Sequence, residues 1–230
     1  ISLQAYGGPL AGISITGNLI TGNASGTGVW DWGSGENSWA GTVGAIQGND
    51  FADNLTHVSS DFADAGVLGL LGLNTFDRTV HATGGSAIWG DLSVAISDTL
   101  ADSTLNLSAG VFNSAIVIDK NLTLLGAGAG LTFIRPDASL ATGVGHKYDA
   151  NMNVAVFVTG ADNVILDGLT IDGNGLNNNA AVFWHNASGE IRNSHITNVR
   201  PFSGAQTGHG LAVTATAGPT AHLAVTDVTF

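Results

Sequence analysis

The chain carries one pattern twice, and this internal repeat limits the folds that it can adopt. Residues 155–171 hold a short apolar strand, a polar corner and a second strand that alternates apolar with polar residues. Residues 181–196 hold the same three parts at an offset of about 25 residues, a period typical of solenoids. In a solenoid each repeat, or rung, buries its apolar face only against its neighbours. The alternation predicts a core made of these side chains: Val156, Val158, Ile165, Ile171, Val182, Trp184, Ile191 and Ile196.

The composition is acidic and argues against two classes of partner. Six Lys and Arg residues stand against 18 Asp and Glu residues, which gives a net charge of −12. Nucleic acids are bound by clustered Lys and Arg, so we predict no nucleic-acid partner. No apolar run approaches the roughly 18 residues of a membrane-spanning helix, which predicts no membrane insertion. The chain starts at Ile1 without an initiator Met or a signal sequence, so we expect a segment of a longer protein.

The two ends of the chain resemble each other. Residues 211–230 align without a gap on residues 1–20, with five identities that include Pro219 on Pro9. Both ends therefore carry the same kind of rung, and no polar cap of the kind that closes a solenoid precedes Ile1. We expect the ends to pack against copies of the chain or against neighbouring repeats, which would build a rod or a filament.

Asparagine recurs at one position of the pattern in the first part of the chain. Asn18, Asn49 and Asn74 each follow a strand and stand one or two residues before an apolar side chain. This placement predicts a bend at which the side-chain amides stack along the solenoid axis. Asn also tolerates the left-handed backbone conformation that such corners use.

A change of pattern near residue 82 suggests two bodies. Apolar residues follow at helical spacing, with Asp91 near the start, and predict the one amphipathic helix of the chain: Ile88, Trp89, Leu92, Ala95, Ile96 and Leu100. We interpret residues 1–81 as the last rungs of one β-helix and residues 82–87 as a linker. Residues 88–230 would then be the capping helix and first rungs of a second β-helix. The alternative is one continuous solenoid in which the helix is a lateral insertion or an internal plug.

A family resemblance appears after this helix. The helix and the strand segments 109–112, 116–120 and 122–127 resemble the start of a protein of the pectin-lyase-like superfamily. The resemblance covers residues 88–230 well and residues 1–80 only as generic rungs. It implies an all-β fold, a right-handed parallel β-helix with one short capping α-helix, and an extracellular or cell-surface location. The superfamily contains lyases, hydrolases, esterases, phage tailspikes and adhesins, so the fold does not imply an activity.

One set of residues would suit an enzyme that acts on polysaccharides. His209 is flanked by glycines and resembles the glycine-flanked histidine of polygalacturonases, in which two carboxylates serve as acid and base. Here Asp167 or Asp172 would supply the carboxylate, and Arg200 would be the assisting basic residue. The upstream Asn-Thr-Asp and paired-Asp motifs of those enzymes are missing, and no basic pair follows His209. The competing interpretation is structural: a corner histidine, and aspartates that accept backbone N–H groups at turns.

A second set of residues would suit a calcium ion. Asp50, Asp53, Asp61 and Asp64 form a loose acidic group, and calcium is bound by six to eight oxygen ligands. Turn chemistry competes here too, and the nonapeptide calcium repeat does not occur. No other cofactor is predicted.

Two functions of different classes follow from these observations. The first is a non-catalytic extracellular segment of a large secreted or cell-surface repeat protein, structural or adhesive, whose partners are copies of itself or neighbouring repeats. The second is a polysaccharide-active enzyme, a pectinase-like hydrolase or lyase, for which carbohydrate would be the partner. The missing catalytic motifs favour the first.

Overall fold

The computed structural model describes residues 1–5, 13–31, 46–60, 64–144, 151–201, 208–216 and 221–230. Over these residues β-strands dominate and two short helices are present, so the chain is an all-β protein. It divides into two compact units, Ile1–Val94 and Ala95–Phe230, which we call unit 1 and unit 2. Neither helix is long and apolar enough to cross a bilayer.

Unit 1 is built mainly from parallel strand pairs. Its described elements are β1 (Ser2–Ala5), β2 (Ile15–Thr16), β3 (Leu19–Thr21), β4 (Ser25–Asp31), β5 (Ile46–Gln47), β6 (Asp50–Ala52), β7 (Thr56–Ser60), α1 (Asp64–Leu73), β8 (Thr75–Phe76), β9 (Val80–Ala82) and β10 (Ala87–Trp89). Strands β1, β4 and β7 are parallel neighbours, as are β2 and β5, and β3, β6 and β8. Strand β10 runs antiparallel to β7 and β9.

Unit 2 repeats the parallel arrangement more regularly. Helix α2 (Leu92–Asp98) precedes its strands, which are β11 (Ser103–Leu107), β12 (Gly110–Phe112), β13 (Ile116–Ile118), β14 (Leu122–Leu125), β15 (Thr132–Ile134), β16 (Leu140–Ala141), β17 (Asn153–Thr159), β18 (Val164–Asp167), β19 (Thr170–Asp172), β20 (Ala180–His185), β21 (Gly189–Thr197), β22 (His209–Thr214) and β23 (Leu223–Thr229). Three parallel sets result: β11-β14-β18-β21-β23, β12-β15-β19-β21 and β13-β17-β20-β22. Only β16 is antiparallel within this unit's described pairs.

In-register pairing aligns the apolar side chains of unit 2 in rows. Successive side chains of a strand point to opposite faces, so every second residue of each strand faces the interior and joins one of these rows. The rows, whose members are at most 1% exposed, are Leu105-Leu124-Leu166-Ile191, Phe112-Ile134-Ile171-Ile196, Ile116-Val156-Val182 and Ile118-Val158-Trp184. Each such side chain contributes about 1.5–3 kcal/mol to folding. These rows are the core of the unit.

The predicted core is confirmed with one exception. Val156, Val158, Ile171, Val182, Trp184, Ile191 and Ile196 are all buried. The prediction for Ile165 is wrong, because Ile165 is half-buried on the outer face while Val164 and Leu166 point inward at 0% exposure. A shift by one residue exchanges the two faces of a strand, and the register of Leu166 with Leu124 and Ile191 fixes the phase.

The predicted asparagine stack in unit 1 is confirmed. Asn18 donates its side-chain amide to Oδ1 of Asn49 at 2.9 Å, and Asn49 donates its own to Oδ1 of Asn74 at 3.0 Å. The expected left-handed backbone lies one residue earlier, at Gly17 (φ 68°) and Gly48 (φ 65°), rather than at the asparagines. Glycine adopts this conformation without the steric cost of a side chain, which frees the asparagine for hydrogen bonding.

The predicted helix is shorter than the apolar spacing suggested. Helix α2 spans Leu92–Asp98, and its N-terminus is capped by Asp91, whose Oδ1 accepts the Val94 N–H at 3.0 Å. Ile88 and Trp89 belong instead to strand β10, and Leu100 is 80% exposed beyond the helix. Leu92, Ala95 and Ile96 form the buried face of the helix, as predicted.

Two features of the structure differ from the predicted organisation. The prediction of a single helix is wrong, because α1 also forms and buries Val67 and Leu70 in the core of unit 1. Residues 82–87, predicted as a linker, join the antiparallel strands β9 and β10 inside unit 1, and Gly85 N–H closes a turn on Ala82 O at 2.9 Å. The compact units divide after Val94, within α2, rather than at residues 82–87.

A pair of neighbouring substitutions tests the strand phase. Leu166→Ala should lower the free energy of unfolding by about 2–5 kcal/mol, because it opens a cavity in a core row. Ile165→Ala, one residue away on the outer face, should cost about 1 kcal/mol or less. Urea unfolding followed by circular dichroism checks both. Equal losses for the two variants would contradict the assigned faces.

A second pair of substitutions tests the asparagine stack. Asn49 is fully buried and donates to Ile15 O at 2.8 Å, while its Oδ1 accepts the Asn18 N–H at 3.0 Å. Asn49→Ala leaves these groups without partners and should cost about 2–4 kcal/mol. Asn18→Ala, at the exposed end of the stack, should cost about 1 kcal/mol. A larger loss for Asn18→Ala in the same urea experiment would refute the stack as a stabilising element.

Candidate functional site

Asp167 lies at the end of β18 and is held by residues of the next strand. Its in-register neighbour on β21 is Arg192, whose Nε donates to Asp167 Oδ2 at 2.8 Å. Asn193 donates its amide to Oδ1 at 2.9 Å, and Glu190 accepts from Arg192 Nη1 at 2.9 Å. The side chain of Asp167 is 14% exposed. Every oxygen of this carboxylate therefore has a donor within the same sheet.

Asp172 is held in the same way at the end of β19. Arg135, one residue beyond β15, donates its Nε to Asp172 Oδ2 at 2.6 Å. Oδ1 accepts from the Asn174 N–H at 2.8 Å and from the Asn198 amide at 3.1 Å. The bond from Asn174 is the predicted turn contact of an aspartate at a corner. Arg135 also lies 5.4 Å from the centre of the Phe133 ring.

These contacts set the ionisation of both carboxylates. Burial tends to raise the pKa of Asp167, but the hydrogen bonds from Asn193 and Arg192 and the charge of Arg192 outweigh it and lower the pKa. Burial likewise tends to raise the pKa of Asp172, and the bonds from Asn174, Arg135 and Asn198 lower it on balance. A general acid in glycoside hydrolysis needs a raised pKa. Both carboxylates are shifted in the opposite direction.

The other two residues of the predicted catalytic set lie in different contacts. His209 begins β22 with an exposed side chain, and its N–H donates to Asn179 O at 3.0 Å. Arg200 is exposed, and its carbonyl accepts the Asn178 N–H at 3.0 Å. Because the described contacts of both aspartate carboxylates go to other residues, the structure does not bring this set together by direct contact.

The glycines beside His209 have structural reasons. Gly208 has φ +84°, and an added Cβ would lie 2.9 Å from the nitrogen of Pro201. An added Cβ at Gly210 would lie 2.7 Å from the ring of Phe230. The pattern that resembles a catalytic motif is therefore also required by a tight corner and by the close approach of an aromatic ring.

The predicted calcium ligands are only partly described. Asp50 is exposed on β6, and Asp53 is exposed as well. The backbone of Asp53 has φ 52°, and its N–H donates to Asp77 Oδ2 at 3.0 Å. Arg78 approaches Asp53 at 3.9 Å. Asp61 lies outside the described residues, and of Asp64 only the backbone at the start of α1 is described. Over the described ranges, no group of three or more His, Cys, Asp or Glu is placed to hold a metal ion.

The last strands of unit 2 expose apolar side chains at core positions. Leu211 and Val213 on β22 continue the rows of Val182 and Trp184, and Val225 on β23 continues the row of Ile191. The earlier members are fully buried, whereas Val213 is 48% and Val225 44% exposed. The next residue after β23, Phe230, is 65% exposed. We call these side chains the terminal face: Leu211, Val213, Leu223, Val225 and Phe230.

Comparison of the chain with models of known families and with curated proteins finds no match. The resemblance to the pectin-lyase-like superfamily therefore rests on the motifs of the sequence. Sequence reasoning identified Asp167 and Asp172 but missed the arginines and asparagines that hold them. The only signal for these partners was their offset in the repeat, since Arg192 follows Asp167 by 25 residues.

Acid titration tests the role of these carboxylates. A lowered pKa means that stability from Asp172 is present above the ordinary aspartate pKa of about 3.9 and is lost as the pH falls through the native value. Asp172→Asn should therefore cost about 1 kcal/mol at pH 7 and make unit 2 less sensitive to pH below about 4. Asp162→Asn, at an exposed position of the same unit, is the control and should change neither property. Identical acid unfolding of Asp172→Asn and the unchanged chain would overturn this account.

Proposed function

We propose that the chain is a non-catalytic extracellular segment of a larger repeat protein, structural or adhesive, built as a right-handed parallel β-helix. Three parallel strand sets with continuous inward rows support this architecture for unit 2. The motifs that resemble the pectin-lyase-like superfamily lie in the same unit and support the handedness and the extracellular location. Unit 1, with its shorter parallel sets, would be a second body of related design.

The observation that carries the proposal is the terminal face. Leu211, Val213 and Val225 occupy core positions of the register, yet they are half-buried or exposed. Within the described pairs, β22 and β23 each have a neighbour on one side only. A free strand edge presents unpaired N–H and C=O groups and favours pairing with another strand. An apolar row beside such an edge could pack against the apolar side chains of a further rung, while the edge pairs with its backbone.

The occupant that fits best is a rung of another copy or of a neighbouring repeat. Residues 1–20 match residues 211–230 in sequence, and Ile1 is 54% exposed beside β1, which within the described pairs has β4 as a neighbour on one side. One end would pack on the other, which is a heterologous contact and extends into rods when it does not close. The net charge of −12 opposes side-by-side association at low salt, so growth would run along the axis.

The contacts of the two aspartates favour this proposal over the polysaccharide-active enzyme. Asp167 and Asp172 are each saturated by an arginine and by amide donors, and both have lowered pKa values. Such carboxylates fasten adjacent strands to each other. An enzyme of this type instead needs one carboxyl that keeps its proton.

Association of the full chain tests the proposal. Sedimentation velocity and electron microscopy should show concentration-dependent rods for the unchanged chain. Val213→Asp with Val225→Asp should abolish them, because two charges would be buried at the contact. The matched control is Val117→Asp with Leu125→Asp, which places charges at side chains 39% and 38% exposed in register with Phe157 and Asp167, and it should leave rods intact.

Two outcomes of this experiment would count against end-to-end packing. Monomers of the unchanged chain at every concentration would remove the proposed partner. Equal loss of rods in the two double variants would show that association does not depend on the terminal face. Circular dichroism of each variant verifies that the fold persists.

A further inference from the structure

His57 is a titratable residue enclosed in the core of unit 1. It lies on β7, and its side chain is fully buried. The ring centre lies 6.0 Å from that of Phe51 and 5.4 Å from that of Phe76, both in edge-on arrangements. An added Cβ at Gly90 would lie 2.6 Å from Nε2, so the backbone of residue 90 closes a further side. The ring has no room to swing away from its partners.

The orientation of the neighbouring Asn54 amide is fixed by a second asparagine pair. Asn54 Oδ1 accepts both the Asn23 N–H and the Asn23 side-chain amide, each at 3.0 Å. Its Nδ2 must therefore be the donor, and it gives one hydrogen to Ile20 O at 2.8 Å. The remaining hydrogen points to Nδ1 of His57 at 3.2 Å. Asn54 is 1% exposed, so water does not replace these bonds.

This arrangement selects one form of the imidazole. Because Asn54 can only donate, Nδ1 of His57 must accept and carries no hydrogen. The proton then sits on Nε2, which lies 2.9 Å from Arg78 O and 3.2 Å from Asp77 Oδ1. The ring is neutral and joins the Asn23–Asn54 pair to the backbone before β9.

Among the described residues, the charged groups that act on His57 come from one turn. Asp77 and Arg78 face it, and Arg78 in turn pairs with Asp77 at 2.9 Å and approaches Asp53 at 3.9 Å. Strand β10 contributes only Ala, Ile and Trp side chains, residues 25–28 of β4 contribute Ser, Gly and Thr, and Asp50 on β6 is exposed. The hydrogen bond to Arg78 O and the carboxylate of Asp77 favour a proton on the ring, and the guanidinium charge of Arg78 opposes it.

We propose that His57 is an acid-sensitive latch of unit 1, in which protonation places a second N–H on Nδ1 against the amide donor of Asn54. Two donors then face each other in a buried site. The hydrogen bond between Asn54 and His57 is lost, and the Asn54 amide has no acceptor in its place. The Asn23–Asn54 pair loses its connection to β7, and the corner that joins β6 to β7 opens. Mild acid would thus loosen unit 1 without touching the aspartates of unit 2.

The direction of the pH effect follows from linkage. Burial lowers the pKa of His57 below its ordinary value of 6.5, and the bond to Arg78 O and the charge of Asp77 only partly offset this. The unfolded chain therefore binds a proton that the folded unit rejects. Stability is complete above about pH 6.5 and falls as the pH drops below it, by up to about tenfold in the equilibrium constant per pH unit.

Amide hydrogen exchange of the full chain between pH 7.5 and 5.0 tests the latch. After correction for intrinsic exchange, protection of residues 50–60 should fall by up to about tenfold per pH unit below 6.5. Residues 164–172 of unit 2 serve as the internal reference and should keep their protection. His57→Gln offers an acceptor and a donor without titrating, so it should remove the pH dependence. His222→Gln, at an exposed position of unit 2, should behave as the unchanged chain.

Two further measurements keep the test decisive if His57→Gln does not fold. Asn54→Asp replaces the donor by a carboxylate that accepts a hydrogen bond from Nδ1–H, so the exchange protection of residues 50–60 should no longer fall in acid. Nitrogen chemical shifts of His57 in the unchanged chain should show hydrogen on Nε2 and none on Nδ1 at pH 7.5. Hydrogen on Nδ1, unchanged protection of residues 50–60 in acid, or an acid response retained by a folded His57→Gln would each overturn the proposal.

Discussion

Parallel, in-register stacking of strands is the constraint on which the rest of this structure depends. Each strand of unit 2 places its side chains directly over those of the strand before it, so a core row is continuous only where each repeat supplies an apolar residue at the same position. The row that contains Leu124, Leu166 and Ile191 illustrates this requirement. A strand with a neighbour on one side only leaves its other edge unpaired. Within the described pairs β22 and β23 are such strands, and Val213 and Val225 are exposed on them.

Stacking also brings polar residues of successive repeats together, and unit 1 and unit 2 use this in different ways. In unit 1 the corner residues Asn18, Asn49 and Asn74 are neutral and bond to each other in line. In unit 2 the strand ends pair an aspartate with an arginine of an adjacent strand. A buried amide must have all its partners, whereas a partly exposed ion pair adds little to stability. The asparagine stacks therefore matter more to folding than the ion pairs.

The sequence predicts features that depend on residues within one repeat. It does not predict features that depend on contacts with a distant repeat. Strand alternation and the recurrence of Asn49 are local patterns, so most core positions and the amide stack could be predicted. Val164, Ile165 and Leu166 are all apolar, so the sequence alone leaves the strand phase open, and only the register with neighbouring strands selects it. Helix α1 carries three glycines that disfavour a helix by about 1 kcal/mol each, and packing of Val67 and Leu70 overrides that preference. Partners such as Arg135 and Asp172 stand 37 residues apart, a separation that only the folded chain defines.

The two polar systems also respond to acid in different ranges. The asparagine pair of unit 1 ends on a neutral imidazole with a lowered pKa, so its contribution to stability falls as the pH drops below the ordinary histidine pKa of about 6.5. The ion pairs of unit 2 end on carboxylates with lowered pKa values, so their weak point lies below about 4. Between these limits the ion pairs of Asp167 and Asp172 persist, while protonation of His57 would weaken the latch proposed for unit 1. Under this proposal, acid would loosen the corner around His57 before it breaks the ion pairs of Asp167 and Asp172.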